Sequence, residues 1–437
     1  MAFLILFVGG FNMALPDIGW GTPVQLFHGV FIDNVVLSIY LLLLATLGTF
    51  GKILRDKGAL RFAGTVALLG SLGIISAGVN AQAANDVGQA ARLILFGAFV
   101  LAGVHWSQVR GETFVLRSYL SGIAAGGLIN IYYSLVQPKA LLGILPVLYS
   151  QNGAGGALAI AIGLAALLML IRQTRGDITV AIGCALIGTV AAAMSFSKTS
   201  MTIAACGLVA WIVVLIRTVA LRRLRLIETA GLAVLLAGSA YVVRSAESSE
   251  LTAAVMQAVK TKFANLDVRD DYSLSARYMY FWGVAEVVAD HPLTGVSYRG
   301  FYNAITNTST YHIGEMTEED PEAGRLGQSN PHNSFLYYAA ANGIPGLMIS
   351  GLLFVMFLGY LRGSLEGSGV AGRVVLGCLA LAYFIYGMTL PTLFDTPVLY
   401  VPAAVAITMA SRQRESRVRH ARAPSFGPRV EAAPTPT

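Results

Sequence analysis

Residues 154–171 read AGGALAIAIGLAALLMLI, eighteen consecutive residues without a charge or a proline. A helix of this length rises about 27 Å, close to the roughly 30 Å hydrocarbon core of a bilayer. The chain as a whole has the same character, because 55% of its 437 residues are hydrophobic, 12% are charged and its mean hydropathy is +0.66. Soluble domains carry about 25% charged residues. The composition therefore indicates a polytopic helical membrane protein and excludes soluble, disordered and disulfide-rich secreted classes.

Other apolar runs of similar length extend over most of the chain. About twelve are candidates for transmembrane helices: 1–15, 33–50, 62–79, 93–106, 118–136, 154–171, 178–194, 201–217, 226–243, 334–361, 373–390 and 398–411. We therefore predict an all-α polytopic membrane protein with helices 1–9 in residues 1–243 and helices 10–12 in residues 334–411. Residues 412–437 are basic and then rich in proline and alanine, which predicts a disordered cytoplasmic tail.

Lysine and arginine are concentrated in every second connection between the apolar runs. The basic connections are 52–61, 110–117, 172–175, 217–225 and 362–373. The positive-inside rule places them in the cytoplasm, together with both termini. The net charge of +7 therefore reflects membrane topology, and we predict no nucleic-acid partner.

One connection on the opposite face is much longer than the others. Residues 244–333 form a polar segment of mixed charge between two apolar runs. Stretches 250–263 and 277–289 have helical spacing, and the second predicts an amphipathic helix that lies on the membrane or caps a cavity. Its apolar positions are Tyr278, Phe281, Trp282, Ala285 and Val288. Loops of this length are often functional, so we expect the chemistry here.

Three polar segments are predicted to meet on this face: SFSKTS (195–200), SAR (275–277) and NPHNSFL (330–336). In the first, Lys198 lies among hydroxyl side chains that include Ser197 and Thr199. A cation among hydroxyls at a helix start can hold a phosphate or diphosphate. The structural alternative is an interfacial lysine beside residues that cap the helix.

The other two segments supply a cation and a base. The guanidinium of Arg277 can bind phosphate oxygens with two hydrogen bonds. The alternative role for Arg277 is a surface ion pair. Arg299 is a further candidate of the same kind. A neutral His332 can take a proton from a sugar hydroxyl, and its alternative is a capping or packing histidine. No spacing typical of metal ligands is present, so we predict neither a metal nor a cofactor.

The order of these motifs resembles a known family. The motifs are SFSKTS at 195–200, SAR at 275–277, Trp282, HPLTG at 291–295, Phe301, HNSFL at 332–336 and NGIPG at 342–346. Their order and topology resemble the O-antigen ligase and polymerase superfamily of bacterial envelope glycosyltransferases. The resemblance implies a GT-C-type fold in the bacterial inner membrane with one large periplasmic loop, 244–333. It also implies a metal-independent enzyme whose donor is a glycan on undecaprenyl diphosphate.

The resemblance further implies roles for individual residues. Arg277 and His332 match the loop arginine and the histidine of the ligases, and Lys198 takes the place of a second arginine. Ser-Lys-Thr-Ser is similar to a motif of exopolysaccharide polymerases. The implied site contains His332 and Arg277 as catalytic residues; Lys198, Arg277, Arg299, Ser197 and Thr199 around the diphosphate; and Trp282, Tyr298 and Asn333 in contact with the glycan.

The function predicted is inverting polymerisation of O-antigen or exopolysaccharide repeat units on the periplasmic face. The alternative within the family is an O-antigen ligase, whose acceptor is lipid A–core. A lipid or glycan transporter would keep ionisable residues inside its spans, and few are found there. A non-catalytic scaffold would tolerate every substitution on the outer face.

Overall fold

The computed structural model describes residues 2–14, 25–27, 30–31, 56–80, 84–136, 139–141, 145–148, 153–172, 174–195, 197–220, 272–298, 300–309, 332–390, 393–394 and 396–422. Their helices are α1 (Ala2–Ala14), α2 (Lys57–Val79), α3 (Ala84–Arg110), α4 (Glu112–Val136), α5 (Gly153–Ile171), α6 (Arg175–Ser195), α7 (Lys198–Ala220), α8 (Tyr272–Asp290), α9 (Gly300–Ile305), α10 (Ser334–Leu365), α11 (Gly369–Thr389) and α12 (Pro397–Arg422). Two short antiparallel hairpins pair β1 (Gln25–Phe27) with β2 (Val30–Phe31) and β3 (Lys139–Leu141) with β4 (Leu145–Val147).

Within this described part of the chain, eight helices are long and apolar enough to cross a membrane: α2 to α7, α10 and α11. The predicted class, a polytopic helical membrane protein, is confirmed. Helices occupy ten of the twelve predicted positions, of which α1 is short and α12 has a basic second half. The predicted spans at 33–50 and 226–243, and the predicted helix at 250–263, lie outside the described residues.

The apolar run 154–171 becomes α5, the most enclosed of these helices. Sixteen of its nineteen residues are buried, and it packs against α6 and α7. Small residues make the close approach possible. A Cβ added to Gly188 of α6 would lie 2.5 Å from the carbonyl oxygen of Leu158, and one added to Gly207 of α7 would lie 3.0 Å from the nitrogen of Gly163.

Ion pairs join the helices at the basic end of the bundle. They are Arg117–Asp177 (3.2 Å, α4 to α6), Arg412–Glu112 (2.8 Å, α12 to α4) and Arg417–Glu366 (2.6 Å, α12 to the turn after α10). These last two contacts explain a correction to the predicted tail. The helix α12 continues to Arg422, with Arg412 and Arg417 held by these two pairs, whereas the sequence predicted disorder from residue 412. Residues 423–437 lie outside the described part.

Helix α8 confirms that residues 277–289 are helical, and a different face from the predicted apolar one packs against the protein. Tyr280, Val284 and Val287 pack into a small core with α9 and the start of α10. Phe281 and Trp282, which belong to the predicted apolar face, are 51% and 47% exposed. Apolar residues occur nearly all round this helix, so periodicity alone did not determine which face packs against the protein.

Candidate active site

A break in α10 organises this end of the molecule. Gly343 has non-helical dihedrals (φ 68°, ψ −161°), and Pro345 follows two residues later. Because proline has no N–H, it cannot donate the helical hydrogen bond to the carbonyl oxygen of Ala341. Ile344, between Gly343 and Pro345, donates to an oxygen outside the helix instead of to Ala340. Two carbonyls inside the helix are therefore open to other donors.

Residues 291–297, which follow α8, use these open groups. The N–H of Val296 donates to the oxygen of Ala340 at 2.9 Å, and the N–H of Ser297 donates to the oxygen of Ala341 at 3.0 Å. In return, the N–H of Ile344 donates to the oxygen of Pro292 at 2.8 Å. We call this backbone pairing of 291–297 with 340–346 the clasp. It fixes the loop helix α8 on the membrane helix α10.

Two glycines are required for the clasp. Gly295 and Gly343 both have positive φ, +62° and +68°, where residues with a Cβ are strained. A Cβ on Gly295 would lie 2.4 Å from the oxygen of Ala340, and one on Gly343 would lie 2.4 Å from the oxygen of Pro292. The glycines of HPLTG and NGIPG are therefore positions of close backbone contact.

The end of α2 supports the clasp from the side. Ser76 donates through Oγ to the oxygen of Ala341 at 2.7 Å, and Asn80 donates through Nδ2 to the oxygen of Gly295 at 3.1 Å. Buried carbonyls need such partners because an unsatisfied one costs about 1–3 kcal/mol. The clasp thus belongs to the packed bundle as well as to the loop.

His332 and Asn333 form the turn that begins α10. The Asn333 side-chain oxygen accepts hydrogen bonds from the N–H groups of Phe335 (2.9 Å) and Leu336 (3.1 Å), which makes it the N-cap. This capping role and its burial do not support the predicted glycan contact of Asn333. His332 itself has a positive φ of 48°, so the chain turns sharply just before the helix.

Helix α8 brings Arg277 and Tyr280 to His332. The Tyr280 and His332 ring centroids are 6.2 Å apart. Burial, and then the positive charge of Arg277, lower the pKa of His332 below its usual 6.5. The two residues predicted to be catalytic are therefore neighbours, and both burial and the nearby guanidinium favour the neutral form of the imidazole. Tyr280 was missed by the sequence reasoning, although its position one helical turn after Arg277 was a signal for it.

This electrostatic contact predicts a pH dependence. Because the pKa of His332 is lowered, its neutral form should persist to lower pH, and transfer should fall only below the usual histidine pKa of 6.5. Removing the charge in Arg277→Gln should raise the pKa of His332. Histidine chemical shifts titrated in both proteins would measure it, and the transfer rate of the wild type against pH would test the acidic limb. An unchanged His332 pKa in Arg277→Gln would contradict the contact.

Lys198 is the first residue of α7. The Oγ of Ser197 accepts a hydrogen bond from the N–H of Ser200 at 3.4 Å, and the Oγ of Ser195 accepts one from Ser197 at 3.2 Å. Ser197 therefore caps the helix, as the structural alternative proposed, and Thr199 is also buried. Lys198 remains half-buried at the positive end of the helix dipole.

The Lys198 and His332 segments lie at the same end of the bundle. Beside the start of α7, a Cβ on Gly155 would lie 3.0 Å from Ser200 Oγ, and one on the next residue, Gly156, would lie 3.0 Å from Leu390 Cδ1. The oxygen of Leu390 accepts a 2.6 Å hydrogen bond from Ser334 Oγ in the first turn of α10. The starts of α5, α7 and α10 and the end of α11 thus pack against one another at this end of the bundle.

The remaining predicted site residues have different environments. Tyr298 is 2% exposed, and its hydroxyl accepts a 3.3 Å hydrogen bond from Asn342, so its burial does not support stacking on a sugar. Trp282 is 47% exposed and meets Phe281 edge to face at 5.6 Å. Arg299 lies outside the described residues.

A comparison with known families matches residues 183–351 to the family model described as O-antigen ligase. The resemblance to the O-antigen ligase superfamily is confirmed. The match covers less than half of the chain but extends from α6 into α10, and so includes Lys198, Arg277, His332 and the clasp. Members are membrane enzymes of the O-antigen ligase and polymerase type, which agrees with the eight apolar helices. No curated protein matches the chain.

Proposed function

We propose that this protein transfers a glycan from undecaprenyl diphosphate to the glycan of a second lipid-linked repeat, and thereby polymerises repeat units. The observation that carries the proposal is the proximity of Arg277, on α8, to His332, which precedes α10 and whose pKa is lowered by burial and by that arginine. Transfer from a diphosphate needs a cation for the leaving group and a base for the attacking hydroxyl. The pair lies opposite the basic end, which we assign to the cytoplasm, so that the active site faces the periplasm.

The proposed reaction is a single displacement. The acceptor hydroxyl attacks the anomeric carbon and gives its proton to His332, while the bond from that carbon to the diphosphate oxygen breaks. Arg277 and Lys198 stabilise the negative charge that develops on the departing undecaprenyl diphosphate. Attack opposite the leaving group inverts the anomeric configuration. The exposed Trp282 is positioned on α8 to contact the glycan.

Lys198 supplies a separate prediction. We expect Lys198→Ala to lower transfer by roughly 10- to 100-fold, because a hydrogen bond to a charged group contributes about 1.5–3 kcal/mol. Lys198→Arg should retain most activity because the charge is kept. Lys57→Ala is the matched control, since Lys57 also begins a helix, α2, but at the basic end. Equal activity of Lys198→Ala and Lys57→Ala in a transfer assay would exclude Lys198 from the site.

A ligase is the second candidate, because the matched family model is described as O-antigen ligase. Deletion of the protein, followed by analysis of the lipid-linked and finished glycans by size, separates the two. Single repeats on lipid without long polymer would indicate a polymerase. Long polymer that stays on undecaprenyl diphosphate, with bare lipid A–core, would indicate a ligase. Unchanged amounts of lipid-linked and finished glycans would contradict both the polymerase and the ligase, and would favour a transporter or a scaffold.

A further inference from the structure

A second polar site lies at the basic end, where α10 turns into α11. Residues of this turn line a cavity of about 520 Å³ that is open to solvent. Its lining includes Arg362, Leu365 and Glu366 from the end of α10 and its turn, and Arg373 and Leu376 from α11. None of these residues belongs to the candidate active site, which lies at the other end of the same helices.

Guanidinium groups from four helices surround this turn. Arg417 of α12 pairs with Glu366 at 2.6 Å, and Arg217 of α7 donates to the oxygen of Ser368 at 2.6 Å. The carboxylate in the cavity wall is therefore already neutralised. Arg362 and Arg373 line the cavity, and neither forms a hydrogen bond or ion pair with the residues that the structure describes. Within the described part of the chain, these two guanidinium groups can therefore contribute positive charge to the cavity.

The rest of the wall suits a phosphate on an apolar carrier. Leu365 and Leu376 form an apolar side, and Gly369 begins α11 with no atom within 4 Å of where its Cβ would be. The side chain of Ser368 does not cap α11. The first N–H groups of the helix, with the positive end of its dipole, add to the attraction of the two arginines for an anion.

We propose that this cavity binds a phosphate group, with Arg362 and Arg373 as its main ligands. Basic pockets between membrane helices at the cytoplasmic side are suited to phospholipid headgroups, and the leucine wall favours a phosphate attached to acyl chains over free phosphate. The site is independent of the proposed glycan transfer, because it uses different residues at the opposite end of the molecule.

Binding can be measured by native mass spectrometry on the full chain with phosphatidylglycerol or phosphatidylcholine. We expect the wild type to retain phosphatidylglycerol and the variant Arg362→Gln/Arg373→Gln to lose about tenfold or more of its affinity. Arg61→Gln/Arg175→Gln is the matched control, since it removes two exposed arginines from the same end. Arg362→Lys/Arg373→Lys should give an intermediate affinity because lysine keeps the charge and loses the paired hydrogen bonds.

Inorganic phosphate distinguishes the source of the group. Competition with phosphatidylglycerol, together with a rise in melting temperature of the wild type, would assign the site to phosphate in general. Loss of phosphatidylglycerol in the glutamine variant without any effect of inorganic phosphate would assign it to a lipid headgroup. Equal retention of phosphatidylglycerol by the glutamine variant, the control and the wild type would overturn the proposal, and so would failure of the wild type to bind either probe.

Discussion

The variant Arg277→Ala is expected to lose glycan transfer by about 100-fold or more, the usual effect of removing one group that stabilises charge in a transition state. His332→Ala should have a similar effect, because loss of a general base costs about 10²- to 10⁴-fold. Both residues are half-buried, and neither forms part of the clasp. Transfer rates, normalised to the amount of protein in the membrane, measure the effect.

Two further variants make this test specific. Arg277→Lys keeps the charge without the paired hydrogen bonds, so it should recover part of the lost activity. Arg175→Ala removes an exposed arginine at the other end of the bundle and should leave transfer unchanged. Full activity of Arg277→Ala at normal protein levels would refute the proposed enzyme.

A second large effect is expected at the clasp. In Gly295→Ala the new Cβ would lie 2.4 Å from the Ala340 oxygen. The alanine would also have to keep the backbone φ of +62° that Gly295 has. The left-handed conformation alone costs about 1–2 kcal/mol, and relief of the clash must also break the pairing with α10. We expect α8 to detach, with loss of transfer and new protease cleavage after residue 290.

The matched control is Gly351→Ala in the same helix, α10. Its Cβ would meet no atom within 4 Å, so we expect no loss and a gain of up to about 1 kcal/mol in stability from helix propensity. The two kinds of variant should also differ from each other. Arg277→Ala should be inactive with a normal protease pattern, whereas Gly295→Ala should be inactive with an altered one. A normal pattern and normal transfer in Gly295→Ala would show that the clasp is dispensable.

The spans were predictable because membrane helices depend on a local property, a sufficiently long apolar run. The helix α8 was predictable for the same reason, but its packed face was not, since Phe281 and Tyr280 are both apolar and only contact with α10 decides between them. The length of α12 depended on the partners of Arg412 and Arg417, which are distant in sequence. Periodicity contains no information on such pairs.

The cation and base of the candidate site were proposed from residue type and position and then matched by the resemblance, whereas HPLTG and NGIPG were used only as family markers. Gly343 and Pro345 are helix breakers and so were a local signal for an interrupted α10. Nothing local indicated that the freed carbonyls would bind residues 296 and 297, some 45 positions earlier in the chain. The position of Tyr280 next to His332 depends on that pairing.

The position of the break in α10 also indicates how deeply the helix can sit in a bilayer. As a straight rod, its 32 residues would measure about 48 Å, far more than one hydrocarbon thickness. The 22 residues after Gly343 measure about 33 Å, which nearly matches the roughly 30 Å thickness of the hydrocarbon layer. If the 22 residues after Gly343 fill that layer, the nine residues from Ser334 to Asn342 lie level with the lipid headgroups. In the proposed reaction the donor carries its diphosphate at this same height, so the proposed enzyme would not need to lift it out of the bilayer.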